Sequence, residues 1–465
     1  MSPSTTIREP GLLEDATARA GRYLDSLADR AVAADPVAVE KLRSRVGSGL
    51  PEAPTAPRAV LAELDAIASD ATVASAGPRF FGFVHGGSLP VAAAASVLAT
   101  AWDQNAFCMT SSPAGVLLEE IVLGWLREVL DLPADSVGAV TTGATVANFT
   151  ALAAARHHLL EAQGWDVEAD GLFGAPPLRV LLSAESHPTV RKALGLLGLG
   201  RDRVELIETD ARGRIRVDAI PRIDGPTLVC AQAGNVNSGD FDPFDALADA
   251  CAGPLAWLHV DGAFGLWARA SRAKRDLARG LERADSWATD GHKWLNVPYD
   301  CGIAFVRESR ALRGAMLLSA AYLPGDAPRE PFHHLPETSR RARGVELWAA
   351  LRGLGRSGIE ELVDRCCRHA RRFADGLSTA GYEILNEVVL NQVVVSFGDD
   401  ETNRAVVDAV QRAGVCWCGP TEWRGRSAMR ISVSCWATGD EDVERSIESI
   451  VGCARDVTRA RRGKA

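Results

Sequence analysis

Trp287-Ala-Thr-Asp-Gly-His-Lys-Trp-Leu-Asn296 decides how this chain is read, because of the lysine it carries. Lysine occurs only at Lys41, Lys192, Lys274, Lys293 and Lys464, and arginine supplies nearly all the positive charge. Arginine cannot give up its proton in a protein, whereas a lysine in an apolar setting can be driven toward the neutral amine that attacks a carbonyl. Lys293 stands between His292 and Trp294, and the run continues without charge through Leu295-Asn296-Val297-Pro298. Taken alone, the stretch fits a carbonyl-bonding lysine and a surface loop about equally well.

A second stretch shifts the balance. Ala256-Trp-Leu-His-Val-Asp-Gly-Ala-Phe264 reads as a buried strand that ends on Asp261 and opens into a turn of small residues. A carboxylate at the C-terminal end of a strand in an α/β sheet faces the crevice where ligands bind. An isolated Asp-Gly is more commonly a turn or a helix cap. With His292-Lys293 downstream, however, the pair fits pyridoxal phosphate. That cofactor needs a lysine to hold its aldehyde and a carboxylate to keep its pyridine nitrogen protonated.

The ordered motifs His259-Val-Asp-Gly-Ala263, Asp290-Gly-His-Lys-Trp-Leu295 and Asp300-Cys301 resemble those of the pyridoxal-phosphate-dependent amino-acid decarboxylases typified by aromatic-L-amino-acid decarboxylase. The resemblance runs from about Pro78 to the last helix. It implies an α/β, aspartate-aminotransferase-like fold (fold type I). Residues 1–85 form a helical arm that clasps the other subunit of a homodimer, 86–357 a large cofactor-binding domain, and 358–465 a small α+β domain. The residues agree: Leu13, Ala20, Leu24, Leu27 and Ala31 recur at helical intervals in the arm, and short apolar strands alternate with helices from Val137 to Val306.

Gly143-Ala144-Thr145 falls between a strand and a helix, where unpaired backbone N–H groups and the positive helix end favour an anion. By resemblance, Ala144 and Thr145 hold the cofactor phosphate with help from His292, and Asn148 lies a turn further in. His187 would stack on the pyridine ring, and Ala263 would lie on its other side. Asn235 occupies a position that in the family often carries a threonine near the ring hydroxyl. The catalytic set is Lys293, Asp261 and His187.

For the substrate, Phe83, His85 and Phe107 match positions that line the family's site, with Phe107 contributed across the dimer. Asn105 departs from the apolar residue of the aromatic-substrate enzymes. The loop Gly325-Asp-Ala-Pro-Arg-Glu-Pro-Phe-His-His-Leu-Pro336 resembles the family's catalytic loop but lacks its proton-donating tyrosine, and Phe332 sits near the expected place. His333, His334, Tyr322 and a water are the alternative acids. The leading reading is decarboxylation of an L-amino acid, aromatic or related, to the amine. The missing tyrosine also fits oxygen-dependent decarboxylation and deamination to an aldehyde. A carbon-carbon lyase of the same fold would need a phosphate pocket for its substrate, and the sequence offers no separate basic cluster for one. A non-catalytic binding protein on the same fold is opposed by the joint presence of Lys293, Asp261 and His187.

Bulk properties narrow the remaining classes. A formal net charge of -9 offers no basic field for nucleic acid or an anionic membrane. No apolar run approaches the roughly 18 residues of a membrane span, and Met1-Ser-Pro-Ser-Thr-Thr6 lacks the features of a signal peptide, so the expectation is a cytoplasmic enzyme. The ten cysteines show no Cys-x-x-Cys spacing, and neither a metal nor a disulfide is expected.

Overall fold

The computed structural model describes residues 9–46, 49–317 and 330–463. Helices α1 (Leu12–Ser26), α2 (Pro36–Val46) and α3 (Pro57–Ala68) form the N-terminal segment, followed by α4 (Pro90–Trp102) and α5 (Pro113–Val129). The central region then runs β1 (Val137–Thr141), α6 (Ala144–Glu161), β2 (Arg179–Ser183), α7 (Pro188–Leu196), β3 (Glu205–Ile207), β4 (Thr227–Gln232), α8 (Phe244–Ala250), β5 (Ala256–Asp261), β6 (Ser286–Asp290), β7 (Gly302–Val306) and α9 (Ser309–Met316). These strands make one seven-stranded sheet, ordered β1-β7-β6-β5-β4-β2-β3. Strand β7 runs antiparallel to β1 and β6, and the other pairings are parallel. Every residue of β4, β6 and β7 is buried, as expected for a sheet covered on both faces, and this is why these strands read as unbroken apolar runs. The sequence does not announce β3, a three-residue edge strand with two exposed positions.

Beyond the sheet, α10 (Gly344–Thr379) leads to β8 (Glu383–Ile384), β9 (Gln392–Ser396), α11 (Asp400–Ala413), β10 (Gly419–Trp423), β11 (Arg426–Ser432) and α12 (Asp440–Arg462). The four strands form a second sheet, ordered β10-β11-β9-β8. The boundary expected at 357–358 lies inside α10, close to Gly355, whose backbone leaves the helical region with φ 60°. The segment assigned to the end of the arm is stitched onto this second sheet. Phe81 donates to the Trp417 carbonyl at 2.8 Å, and Ser432 donates to the Phe81 carbonyl at 2.9 Å.

Two close packings fix the elements that carry the site. Gly302, at the start of β7, lies against the turn before α6: a Cβ there would come within 2.3 Å of the Gly143 carbonyl carbon. Beneath β5, His259 bridges the layers, with Nε2 2.9 Å from Asn148 Oδ1 and Nδ1 2.9 Å from Ser286 Oγ. Trp257 Nε1 donates to the same hydroxyl at 2.9 Å. Complete burial pushes the His259 imidazole down from 6.5 to about 3, so it is neutral in the folded chain at neutral pH.

Gly302→Ala is expected to lower unfolding free energy by about 1–3 kcal/mol, the usual cost of forcing a methyl into a packed backbone contact. Denaturant unfolding measures it, and an unchanged midpoint would mean that the two glycines separate freely. Because the folded-state value of His259 lies below its unfolded value, the unfolded chain takes up the proton first. The corresponding stability is complete above about 6.5 and is lost as pH falls toward about 3. His259→Gln should therefore lose less stability than the parent between neutrality and about pH 5, as read from urea midpoints. Parallel losses would remove His259 from the acid response.

Candidate active site

A cavity opens at the C-terminal ends of β4 and β5, lined by Phe83, Val84, His187, Asp261, Lys293 and Arg430, with Gln232, Ala263 and Phe264 among the remaining walls. Gln232 and Asp261 end adjacent strands and stand opposite each other in register. Lys293 lies three residues past the end of β6. Its segment is clamped from several directions. A Cβ on Gly86 would sit 1.7 Å from the Lys293 carbonyl oxygen, so only glycine allows that approach. Asn296 adopts φ 57°, donates to the Trp294 and Ser434 carbonyls, and accepts from Trp436 N at 2.8 Å. Trp294 and Leu295 are buried.

The amine is held by a neighbour that the sequence reading did not single out. Lys293 Nζ lies 3.1 Å from Asp290 Oδ2, and the other oxygen of that carboxylate accepts from Ala144 N at 2.6 Å. His292 Nδ1 accepts from Cys301 N at 3.1 Å, which puts the ring proton on Nε2, 3.5 Å from Asp290 Oδ1. Burial lowers the His292 pKa against the pull of Asp290, favouring the neutral ring. Thr145 is half-buried in the first turn of α6.

Asp261 is fully enclosed. Its Oδ1 accepts from Ala263 N at 3.2 Å, and burial pushes the carboxyl pKa up, opposed by His187 and Lys293. Such a group gains most from a partner that brings a proton on nitrogen. His187 caps α7, its Nδ1 accepting from Thr189 N at 3.4 Å, so that Nε2 carries the proton. Burial lowers its pKa, Asp261 opposing. Arg430 is the other group that the sequence reading passed over, because Met429-Arg-Ile reads as an ordinary strand. It projects from β11 into the cavity, donates to the Val236 carbonyl at 3.3 Å, and has its pKa lowered by burial.

Among the other expected residues, Phe83 and Val84 form the lip with φ of 53° and 59°, a conformation that costs about 1–3 kcal/mol per non-glycine residue and marks a constrained site. His85 stacks beside Phe80 and Tyr299, and burial with the nearby His292 and Lys293 pushes its pKa down to about 4. Tyr299 also packs on His292, with centroids 4.2 Å apart. Two expected cofactor ligands make hydrogen bonds within the protein. Asn148 is buried against His259, and Asn235 is committed to a turn, its Oδ1 accepting from Asn237 N and Ser238 N and its Nδ2 donating to the Glu185 carbonyl. Asn148 Nδ2 is buried with no hydrogen-bond partner among the described residues.

Asn105, Phe107, His333 and His334 do not line this cavity. Asn105 Oδ1 accepts from Arg340 N at 3.0 Å, Phe107 packs near Phe332 with centroids 6.0 Å apart, and the imidazole of His334 meets the Glu330 carbonyl at 3.1 Å. Tyr322 and the first part of the 325–336 loop lie outside the described residues.

The donor set suits pyridoxal phosphate: an amine at Lys293, an enclosed carboxylate at Asp261 for a ring nitrogen, and a helix N-terminus with His292 for a phosphate. Comparison with known proteins agrees. Residues 40–397 match the model of the pyridoxal-dependent decarboxylase conserved domain. The chain is 31% identical over 430 residues to L-2,4-diaminobutyrate decarboxylase of Rhizobium meliloti (strain 1021), covering 88% of this chain and 84% of that one. It is 26% identical over 441 residues to aromatic-L-amino-acid decarboxylase of Bacillus atrophaeus, covering 90% and 89%. A solved structure described as Oryza sativa TDC with PLP and tryptamine superposes with a TM-score of 0.88 at 24% identity, over 96% of this chain and 97% of that one. The enclosed carboxylate, the lysine beyond it and the fold that brings them together thus have one explanation: this chain belongs to the family of pyridoxal-phosphate-dependent amino-acid decarboxylases.

Proposed function

We propose that this enzyme converts an L-amino acid, aromatic or of related size, to its amine and carbon dioxide, in the cavity between Lys293, Asp261, His187 and Arg430. The observation that carries the reading is the enclosed Asp261 carboxylate facing the same cavity as the Lys293 amine. When bound, pyridoxal phosphate supplies the electron sink for the bond that breaks at the α-carbon.

The chain's own groups prepare that break. Lys293 would hold the cofactor through its amine, which Asp290 Oδ2 steadies at 3.1 Å. Asp261 keeps a proton on the ring nitrogen, since a buried carboxylate favours a hydrogen-bonded cation beside it. His187 and Ala263 line the cavity and would flank the cofactor ring, the small side chain of Ala263 leaving room for it. Ala144 and Thr145 receive the phosphate at the N-terminus of α6. Arg430 would hold the substrate carboxylate and so orient the α-carbon for the bond that breaks. Phe83, Val84 and Phe264 exclude water from the reacting carbon.

The working unit in this reading is a homodimer in the cytoplasm. Neither α1 nor α3 contains a buried residue, and Leu13, Leu24, Val60 and Leu64 are each between 46% and 55% exposed, an apolar surface suited to a second subunit. Asn105, Phe107, His333 and His334 would then meet the neighbouring cavity across the dimer.

Lys293→Ala is expected to abolish turnover and the visible absorbance that cofactor gives the purified enzyme, while leaving the fold intact by circular dichroism. Arg430→Gln should keep that absorbance and lower kcat/KM by about ten- to hundredfold, the loss expected for one charge-assisted hydrogen bond. A variant of normal kcat/KM would take the carboxylate away from Arg430. A panel of L-amino acids, with amine, carbon dioxide and dissolved oxygen followed together, tests the product. Amine without oxygen uptake is expected, and ammonia and aldehyde with oxygen uptake would overturn it.

A further inference from the structure

Phe83 lines the cavity but is 58% exposed, so burial in a core does not fix where its ring points. Three rings surround it: Trp417 at 5.1 Å between centroids, His85 at 5.9 Å and Phe80 at 6.5 Å. The nearest of them, Trp417, comes from the connection between α11 and β10 and does not itself line the cavity. Its backbone is bridged to that of Phe80: Trp417 N donates to the Arg79 carbonyl at 3.0 Å, and its carbonyl accepts from Phe81 N at 2.8 Å. Its ring stacks on Phe80, with centroids 5.0 Å and planes 20° apart. It also lies over Gly82, where a Cβ would come within 2.1 Å of the indole, so the ring takes the space of an absent side chain. Phe80 in turn is buried with Leu27, Val32 and Ala74. An indole anchored in this way carries its position to Phe83.

We infer that Trp417 is a positioning residue for the substrate: it holds the Phe83 ring at the lip and so sets the room left for a substrate side chain. This rests on the reading that the substrate occupies the cavity lined by Phe83. The left-handed backbone of Phe83 and Val84 fixes the path of the lip, and the ring contact limits the freedom that remains, the side-chain torsions of Phe83. Without the indole, a side chain this exposed turns among its rotamers, and the substrate loses an ordered apolar wall. Binding weakens while the reacting groups keep their places, because Asp261, Lys293 and His187 are carried by β5, the segment after β6 and the start of α7. Trp417 thereby ties substrate selection to the buried cluster around Leu27, Val32 and Ala74, outside the cavity.

The test is a double-mutant cycle on the cofactor-loaded enzyme, with Phe83→Ala, Trp417→Ala and the two together, assayed with the best substrate of the L-amino-acid panel. Each single variant is expected to raise KM by about three- to tenfold, the size of one ring contact, with kcat within about twofold and the cofactor absorbance unchanged. The double variant should be no worse than Phe83→Ala, since a residue that acts through another adds nothing once that other is gone. Trp417→Phe, which restores a ring, should recover most of the loss. Trp417→Leu enters the cycle if the alanine variant does not fold. An unchanged KM in the Trp417 variant beside a raised KM in Phe83→Ala overturns the role of Trp417 alone. So do independent, multiplied effects in the double variant, or a fall in kcat with altered cofactor absorbance, either of which leaves Trp417 a structural residue only. An unchanged KM in Phe83→Ala, or no turnover across the panel, removes the substrate from this cavity wall, and the reading of the site falls together with the inference.

Discussion

An ionisable carboxylate kept out of water at the end of a strand is the constraint around which this molecule is arranged. Asp261 has one backbone N–H for company, and burial alone would drive it toward the neutral acid. His187 and Lys293 oppose that shift without reversing it, and Arg430 lines the same cavity. A cofactor with a basic ring nitrogen completes this set by bringing a proton to the carboxylate. The cost of desolvating Asp261 in the folded chain is offset only in part by His187 and Lys293.

The lysine is positioned by contacts that tolerate little movement. The Gly86 backbone presses on the Lys293 carbonyl, Asn296 fastens the next turn to Ser434 and Trp436 near the second sheet, and Trp294 fills the space beneath. Each belongs to a different part of the chain. A shift of the small sheet relative to the large one would therefore reach the amine directly, which couples reactivity to the packing of the whole subunit. The strained lip at Phe83 and Val84 sits on the same segment as Gly86 and is stitched to β11 through Phe81. Backbone strain persists where surrounding contacts over-determine it, and here they do so on both sides.

The site also shows which histidines are kept neutral and why. His85, His187, His259 and His292 all have pKa values lowered first by burial. A neutral imidazole can accept on one nitrogen and donate on the other, and His187 and His292 each accept on Nδ1 from a backbone N–H. That leaves Nε2–H directed by the fold in both cases. Lys293 and Arg430 are the basic side chains that line the cavity beside these histidines.

How much of this was legible before folding depends on where each signal originates. The alternation of short apolar runs with helices identified the sheet, because strands covered on both faces must be continuously apolar. Edge strands such as β3 escaped, since half-exposed backbone pairing leaves no such imprint. Asp261, Lys293, His292 and His187 were readable because each sits at a strand end or helix start beside a local motif, where chain direction alone determines what faces the crevice. Arg430 carries no local signature, since it comes from a strand of the other sheet, and the contacts of Asp290 are not readable from its place in the Asp290-Gly-His-Lys motif, because they depend on Ala144 being brought to within 2.6 Å of it. Asn148 and Asn235 show how tertiary contacts add to a local position, since the Asn148 oxygen meets His259 and the Asn235 amide nitrogen donates to the Glu185 carbonyl, both distant in sequence. The order of residues along the chain was enough to establish the class of chemistry, which depends on residue type at points where the backbone path is locally dictated. Which charges meet in the cavity was settled by the folded arrangement, because burial and pairing between separate elements exist only after the two sheets have packed together.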